Sequence, residues 1–188
     1  MAILIGLAGP AGVGKDTAAR YVADEFSLLQ YAFASPIKDA LEAMGFDRRV
    51  YDQDEVKDAP IPDLNVSYRK LAQTLGTEWG RAMHEEFWLM LGKRRFAAVQ
   101  AMPKYGAYRG MVVSDVRFSN EANWIRQAGI LIHIVGPARR LIAKDGSSHA
   151  SEAGICKQQG DVVVTNTGSL TFLFGQLNAT IIQAFFSS

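Results

Sequence analysis

The run Gly9-Pro-Ala-Gly12-Val13-Gly14-Lys15-Asp16-Thr17 has the residue types and spacing to hold a chain of phosphates. Its glycines let successive backbone N–H groups turn inward around an anion. A helix opening near Lys15 adds roughly half a positive charge at its N-terminus, and Lys15 can neutralise the outer β and γ oxygens. This is the G-x-x-x-x-G-K of a P-loop, directly after an apolar run, Ile3 to Ala8, that reads as a buried strand. A nucleoside triphosphate is the expected ligand. The residue after the lysine is Asp16, where the general pattern has a Ser or Thr that ligates magnesium. A carboxylate about 4 Å from a phosphate charge costs on the order of 4 kcal/mol at an effective dielectric of roughly 20, so Asp16 must face a cation or turn away. We read it as holding Mg²⁺, directly or through water, with the Thr17 hydroxyl offered to the α-phosphate.

Three features indicate what the triphosphate is for. The strand-end acid is Asp115, and it is followed by Val116 rather than by the Glu with which hydrolytic motors activate water. No Asn-Lys-x-Asp run is present to read a guanine. Two long excursions, 45–102 and 136–160, can close over a second small molecule and keep water out, as transfer to an acceptor requires. A small-molecule kinase is the class these features favour.

Arg69, Gln73, Thr77 and Arg81 recur every four residues, so a continuous helix aligns them as one polar stripe whose arginines can clamp a monophosphate. Gly76 and Gly80 are expected to interrupt that helix, the first freeing Thr77 and Glu78 to meet a ligand. Lys38, after Pro36 at a helix start, lies near the end of the second strand and can reach an acceptor phosphate. Asp115 and Arg117 alternate to one face at the carboxyl end of a strand, where α/β sheets bind ligands. Asp115 can orient magnesium or a sugar hydroxyl, Arg117 can bridge two phosphates, and Glu121 can accept hydrogen bonds from a base edge. Plain structural alternatives stand beside these: a solvated helix face, a surface lysine, a salt-bridged strand end and, for Trp88, core packing. His149, Ser151 and Glu152 are too close in sequence to form a hydrolytic triad, and His84, His133, His149 and Cys156 lack metal-ligand spacing.

These residues need a scaffold, and the hydrophobic pattern supplies one. Ile3 to Ala8, Leu28 to Phe33, Met111 to Ser114, Ile130 to Val135 and Val162 to Thr165 are short apolar runs of the kind a covered parallel sheet requires. Helical patterns alternate with them over Lys15 to Phe26, Ser35 to Met44, Tyr68 to Met102 in pieces, Ser119 to Gln127 and Ser169 to Phe186. The fold class is therefore α/β. The 188 residues, 48% of them hydrophobic, suit one domain with insertions. Twenty basic residues against 19 acidic ones leave a net charge of +1, which gives no field to hold a nucleic acid. A single cysteine excludes an internal disulfide framework and suits a reducing cytoplasm. No apolar run reaches membrane-spanning length, so no membrane partner is expected.

The blocks Gly14-Lys15-Asp16-Thr17, Phe33 to Lys38, Arg69 to Arg81, Trp88, Asp115 to Glu121, His149 to Glu152 and Asn166 to Ser169, in this order and spacing, resemble the phage-type deoxynucleoside monophosphate kinases. Asp16 is that family's usual variant. The resemblance implies a three-layer P-loop fold, a five-stranded parallel sheet of order 2-3-1-4-5 flanked by helices. Residues 1–188 would form one kinase domain, with an acceptor-binding helical insertion at 45–102 and a lid at 136–160. ATP and Mg²⁺ are the implied cofactors, with Asp16 and Asp115 toward the metal and Lys15, Arg117 and Asp115 in catalysis. Gly12, Val13, Gly14, Lys15, Asp16, Thr17, Arg139, Asn166 and Gly168 would hold ATP. Lys38, Arg69, Gln73, Gly76, Thr77, Glu78, Arg81, Trp88, Asp115, Arg117 and Glu121 would hold the acceptor. Arg139 and Arg140 open the lid and would stabilise charge on the transferring group, a basic surface pair being the alternative. The Asn166 to Ser169 turn, with Ser169 as a helix cap, lies against the adenine in related kinases. Nucleotides are the implied partners, a homodimer is allowed, and the compartment is the cytoplasm, a host's if the chain is phage-encoded. Two other readings stay open: a P-loop kinase of another phosphorylated metabolite, of the phosphomevalonate or dephospho-coenzyme A type, and a non-catalytic ATP-binding module.

Overall fold

The computed structural model describes residues 2–53, 55–101, 107–136 and 154–186. In chain order the elements are β1 (Ile3–Ala8), α1 (Lys15–Phe26), β2 (Leu28–Tyr31), α2 (Ser35–Ala43), α3 (Arg48–Tyr51), β3 (Pro60–Ile61), β4 (Val66–Ser67) and α4 (Tyr68–Gln73). A π-helix (Thr74–Arg81) follows, then α5 (Phe87–Gln100), β5 (Gly110–Val113), α6 (Ser119–Ala128), β6 (Ile130–Val135), β7 (Val162–Thr165) and α7 (Leu170–Phe185). They divide into two compact units, one made of the chain up to Ala32 and from Arg94 onward, the other of Phe33–Lys93.

In the first unit the strands are ordered β2-β5-β1-β6-β7 and all pair in parallel. Counted by strand along the chain this is 2-3-1-4-5, the expected order. β1 and β5 are buried at every position, which is why both read as unbroken apolar runs. Side chains of β1 alternate between two layers. Ile3, Ile5 and Leu7 pack with Val22 and Phe26 of α1 and with Leu173, Leu177 and Ile181 of α7. Gly6 faces the other way, toward Ile125 of α6, whose Cγ2 lies 2.8 Å from where a Gly6 Cβ would stand. Helices thus cover both faces. Because every strand is parallel, the loops after β1, β5, β6 and β7 all leave from one edge of the sheet, the edge where open α/β sheets bind ligands.

The second unit has its own core of Leu41, Ile61 and Tyr68, with Phe46, Tyr51 and Leu71 packed against it. Here the expectation of a helix broken at Gly76 and Gly80 is corrected. α4 continues without interruption into the π-helix, and both glycines are buried in it. A Cβ at Gly76 would stand 2.9 Å from Ile37 Cδ1, and one at Gly80 2.5 Å from the Trp88 ring. The glycines therefore serve close packing rather than chain breakage. The wider turn shifts the i→i+4 pairing, and the Gly76 carbonyl accepts the Trp88 indole N–H at 2.6 Å. Trp88 is consequently a core residue, 5% exposed, edge-on to Phe87. No described helix is long and apolar enough to cross a membrane.

Candidate functional site

The turn after β1 is held in shape from several directions. Gly14 caps α1 with φ +98°, a conformation L side chains rarely adopt, and a Cβ there would meet Asn166 Nδ2 at 2.7 Å. Val13 is buried, anchoring the turn to the core, and its carbonyl accepts the Asn166 side-chain N–H at 2.9 Å. Lys15 Nζ crosses the turn to donate to the carbonyls of Gly9 and Pro10, both at 2.8 Å. Burial lowers the Lys15 pKa from the ordinary lysine value. The positive charge of Arg117 adds to this, while Asp16 and Asp115 pull the other way.

That electrostatic pattern gathers the predicted triphosphate residues of this unit at one place. Lys15 and Asp16 open α1, whereas Asp115 and Arg117 follow β5. Asp115 is buried and Arg117 exposed. Val116 donates its N–H to Leu7 O at 3.2 Å, tying this loop to β1. The two cations suit phosphate oxygens, whereas the two carboxylates suit a metal cation bound together with them. Among the described residues no three or more His, Cys, Asp or Glu converge as a metal group. Mg²⁺ needs only one or two carboxylates when phosphate oxygens complete its shell, and the Asp16 and Asp115 donor set fits that requirement.

Glu121 requires a correction. It is 2% exposed, and its Oε2 accepts the backbone N–H groups of Arg117 at 2.9 Å and Phe118 at 3.0 Å. The carboxylate shapes the loop that carries Asp115 and Arg117 and caps α6, so its place is structural rather than at a base edge.

Asn166, expected in a loop that lies against an adenine, uses its side-chain amide to brace the P-loop. Behind it, Gln176 of α7 accepts from Thr165 N and Oγ1 at 3.1 and 3.2 Å and donates to Thr165 O at 2.8 Å. Ser169 Oγ accepts from Phe172 N at 3.3 Å, the expected cap of α7. Asn166→Ala is expected to raise the KM for ATP about fivefold, the weight of one hydrogen bond, with kcat changed less than twofold. Steady-state kinetics against ATP checks this, and an unmoved KM contradicts the bracing role.

Sequence reasoning missed a second buried network. Asp161, 1% exposed, accepts from Arg126 Nε and Nη2 at 2.9 and 2.8 Å, from the Gln158 N–H at 2.9 Å, and pairs with His133 Nε2 at 2.9 Å. The guanidinium also donates to Cys156 O at 3.0 Å. His133, which lies within β6 and lacks metal-ligand spacing to the other histidines, has this carboxylate as its partner. The three side chains lie 28 and 35 residues apart, so no local spacing could announce them.

The predicted acceptor residues of the second unit are already engaged with one another's neighbours. Lys38 pairs with Asp52, Arg69 with Asp58, and Lys70 with Glu78 at 2.8 Å. Arg81 Nη1 donates to Glu85 O at 3.0 Å. Gln73 ends α4 and Thr77 stands half-buried in the π-helix. Residues 137–153 of the expected lid, Arg139, Arg140, His149, Ser151 and Glu152 among them, lie outside the described residues.

Comparison with known proteins adds an independent line. The family model described as deoxynucleotide monophosphate kinase matches residues 49–177. That match begins after the P-loop, so the Gly9 to Thr17 turn is not part of it. A protein of Acanthamoeba polyphaga mimivirus, provisionally named a deoxynucleotide monophosphate kinase, is 30% identical over 97% of each chain. The deoxynucleotide monophosphate kinase of Enterobacteria phage T4 is 27% identical, over 95% of this chain and 98% of its own. The crystal structure of TT1252 from Thermus thermophilus shares the fold, with a TM-score of 0.52 at 18% identity over 97% of both chains.

Proposed function

Because this chain belongs to the deoxynucleotide monophosphate kinase family, we propose that it transfers the γ-phosphoryl group of ATP to a deoxynucleoside 5′-monophosphate. The products are ADP and the deoxynucleoside diphosphate, a precursor for triphosphate supply. The observation that carries the reading is the P-loop turn itself, with the Lys15 ammonium held across it on the Gly9 and Pro10 carbonyls and the loop of Asp115 and Arg117 tied to β1 beside it through the Val116 N–H.

In this mechanism the amides from Gly12 to Lys15 cradle the triphosphate, with Thr17 beside them. The Lys15 ammonium exchanges its two loop carbonyls for phosphate oxygens. Arg117 takes up charge that spreads over the transferring group, an interaction that strengthens as the transition state forms. Asp16 and Asp115 would hold Mg²⁺, which when bound neutralises phosphate oxygens and orients them. Lys38, Arg69, Gln73, Thr77, Glu78 and Arg81 bind the acceptor, with Gly76 and Trp88 shaping the helix that carries them. The attacking atom is an ionised phosphate oxygen at neutral pH, so no general base is needed. Transfer then depends on holding that oxygen in line with the γ-phosphorus and excluding water. Arg139 and the 136–160 lid have that last task in this reading, and Gly168 keeps its place in the ATP loop.

The reading includes a cytoplasmic enzyme and a homodimer, the latter tested by light scattering with a monomer as the contrary result. Acceptor-dependent ADP release over a panel of deoxynucleotides, phosphomevalonate and dephospho-coenzyme A tests the function. Turnover with a deoxynucleotide supports it. Turnover with another metabolite alone, or ATP binding without any acceptor-dependent ADP, replaces it with one of the other two readings.

A further inference from the structure

Lys38 and Arg69 each meet a carboxylate from the polar stretch between α3 and β3. Asp52 closes α3, where its N–H donates to Arg48 O at 3.0 Å, and its carboxylate takes the Lys38 ammonium, with side chains 36% and 23% exposed for Lys38 and Asp52. Asp58 receives Arg69 at two points, Nε to Oδ1 and Nη2 to Oδ2, the second at 3.2 Å. This is the two-point geometry that a phosphate would itself use on a guanidinium. The pairing is fastened by the backbone, since Arg69 N donates to the carbonyl of Lys57, the neighbour of Asp58, at 3.0 Å. Both aspartates are short side chains on anchored backbone, so little conformational freedom is lost in holding these contacts.

From this we infer that Asp52 and Asp58 are built-in competitors of the acceptor phosphate, each neutralising a cation that must be released before the phosphate can bind. The inference rests on the acceptor role of Lys38 and Arg69 given above. A carboxylate and a phosphate oxygen compete for the same donors, and the more highly charged phosphate displaces the carboxylate when it is present. The consequence is a raised acceptor KM and a diphosphate that leaves more readily, because the aspartates reclaim their cations.

Asp52→Asn and Asp58→Asn remove the charge while keeping the shape. Each is expected to lower the KM for a deoxynucleoside monophosphate about two- to fivefold, the weight of one partly exposed ion pair, with kcat within twofold. The inhibition constant of inorganic phosphate falls in parallel. An unchanged or raised KM in both variants overturns the inference, a rise meaning that the aspartates orient the cations for the ligand. Should Asp52→Asn unfold in a thermal melt, Asp58→Asn, at a side chain 57% exposed, carries the same test. Lys38→Met and Arg69→Met separate the two levels. If neither raises the acceptor KM, the acceptor reading fails and the inference with it. If they raise it and the asparagine variants do not lower it, the competitor role alone fails.

Discussion

Lys15→Ala is expected to lower turnover about 10²- to 10³-fold, the loss that follows removal of one preorganised charge-stabilising donor. The Lys15 ammonium is partly desolvated and faces the like charge of Arg117, a cost that a bound phosphate chain offsets. Its interaction with the phosphates grows as charge moves toward the β–γ bridging oxygen, so most of the loss falls on kcat rather than on ground-state binding. Binding of the deoxynucleoside monophosphate, measured by isothermal titration calorimetry without ATP, should stay within about twofold. Wild-type turnover in Lys15→Ala contradicts the role assigned to it. A loss confined to acceptor affinity contradicts the division of labour between the two loops and the π-helix.

The second large effect is on stability. Asp161→Ala is expected to destabilise the fold by about 3 to 5 kcal/mol, because the Arg126 side chain, 16% exposed in the intact pair, loses its carboxylate and His133 loses the same partner. For a chain of this length that corresponds to a fall in Tm of about 10 °C. Arg126, aided by the Gln158 N–H and His133, holds the Asp161 carboxyl well below the usual carboxylate range despite its burial. The folded pKa is thus depressed, so the folded state binds its proton only in strong acid while the unfolded chain takes one up near pH 4. The contribution is fully present at neutral pH and is lost as pH falls below about 4. Urea titrations at pH 7, 4 and 3 check both statements. Asp161→Asn should be less stable than the parent at pH 7 and should lose less further stability on acidification. Equal stability at pH 7 contradicts the account of this network.

The division between what the sequence announces and what it hides follows the range of the interactions. Strand and helix positions were legible because burial on two faces, or on one, writes a short-period pattern into neighbouring residues; β1 and β5 are the clearest cases. The P-loop was legible because its chemistry needs consecutive backbone amides. Gly76 and Gly80 misled because a glycine in a helix has two meanings, a break or a close approach. Only the Trp88 ring and Ile37, 8 and 39 residues distant from their respective glycines, decide for the second. Glu121 is a related case, since an acid at the start of a helix after a strand end is equally suited to a ligand and to unpaired backbone N–H groups. The Asp161 network and the pairing of Lys38 and Arg69 with aspartates arise from tertiary approach and leave no local spacing to read.

In the proposed reaction the terminal phosphoryl group of ATP passes to a deoxynucleoside monophosphate rather than to water. Incubation with γ-³²P-labelled ATP and a deoxynucleoside monophosphate, followed by chromatographic separation of the products, measures that partition directly. Label is expected in the deoxynucleoside diphosphate, dependent on the acceptor and lowered about 10²- to 10³-fold with Lys15→Ala. Label appearing only in inorganic phosphate, or remaining in ATP with every deoxynucleotide offered, would contradict it.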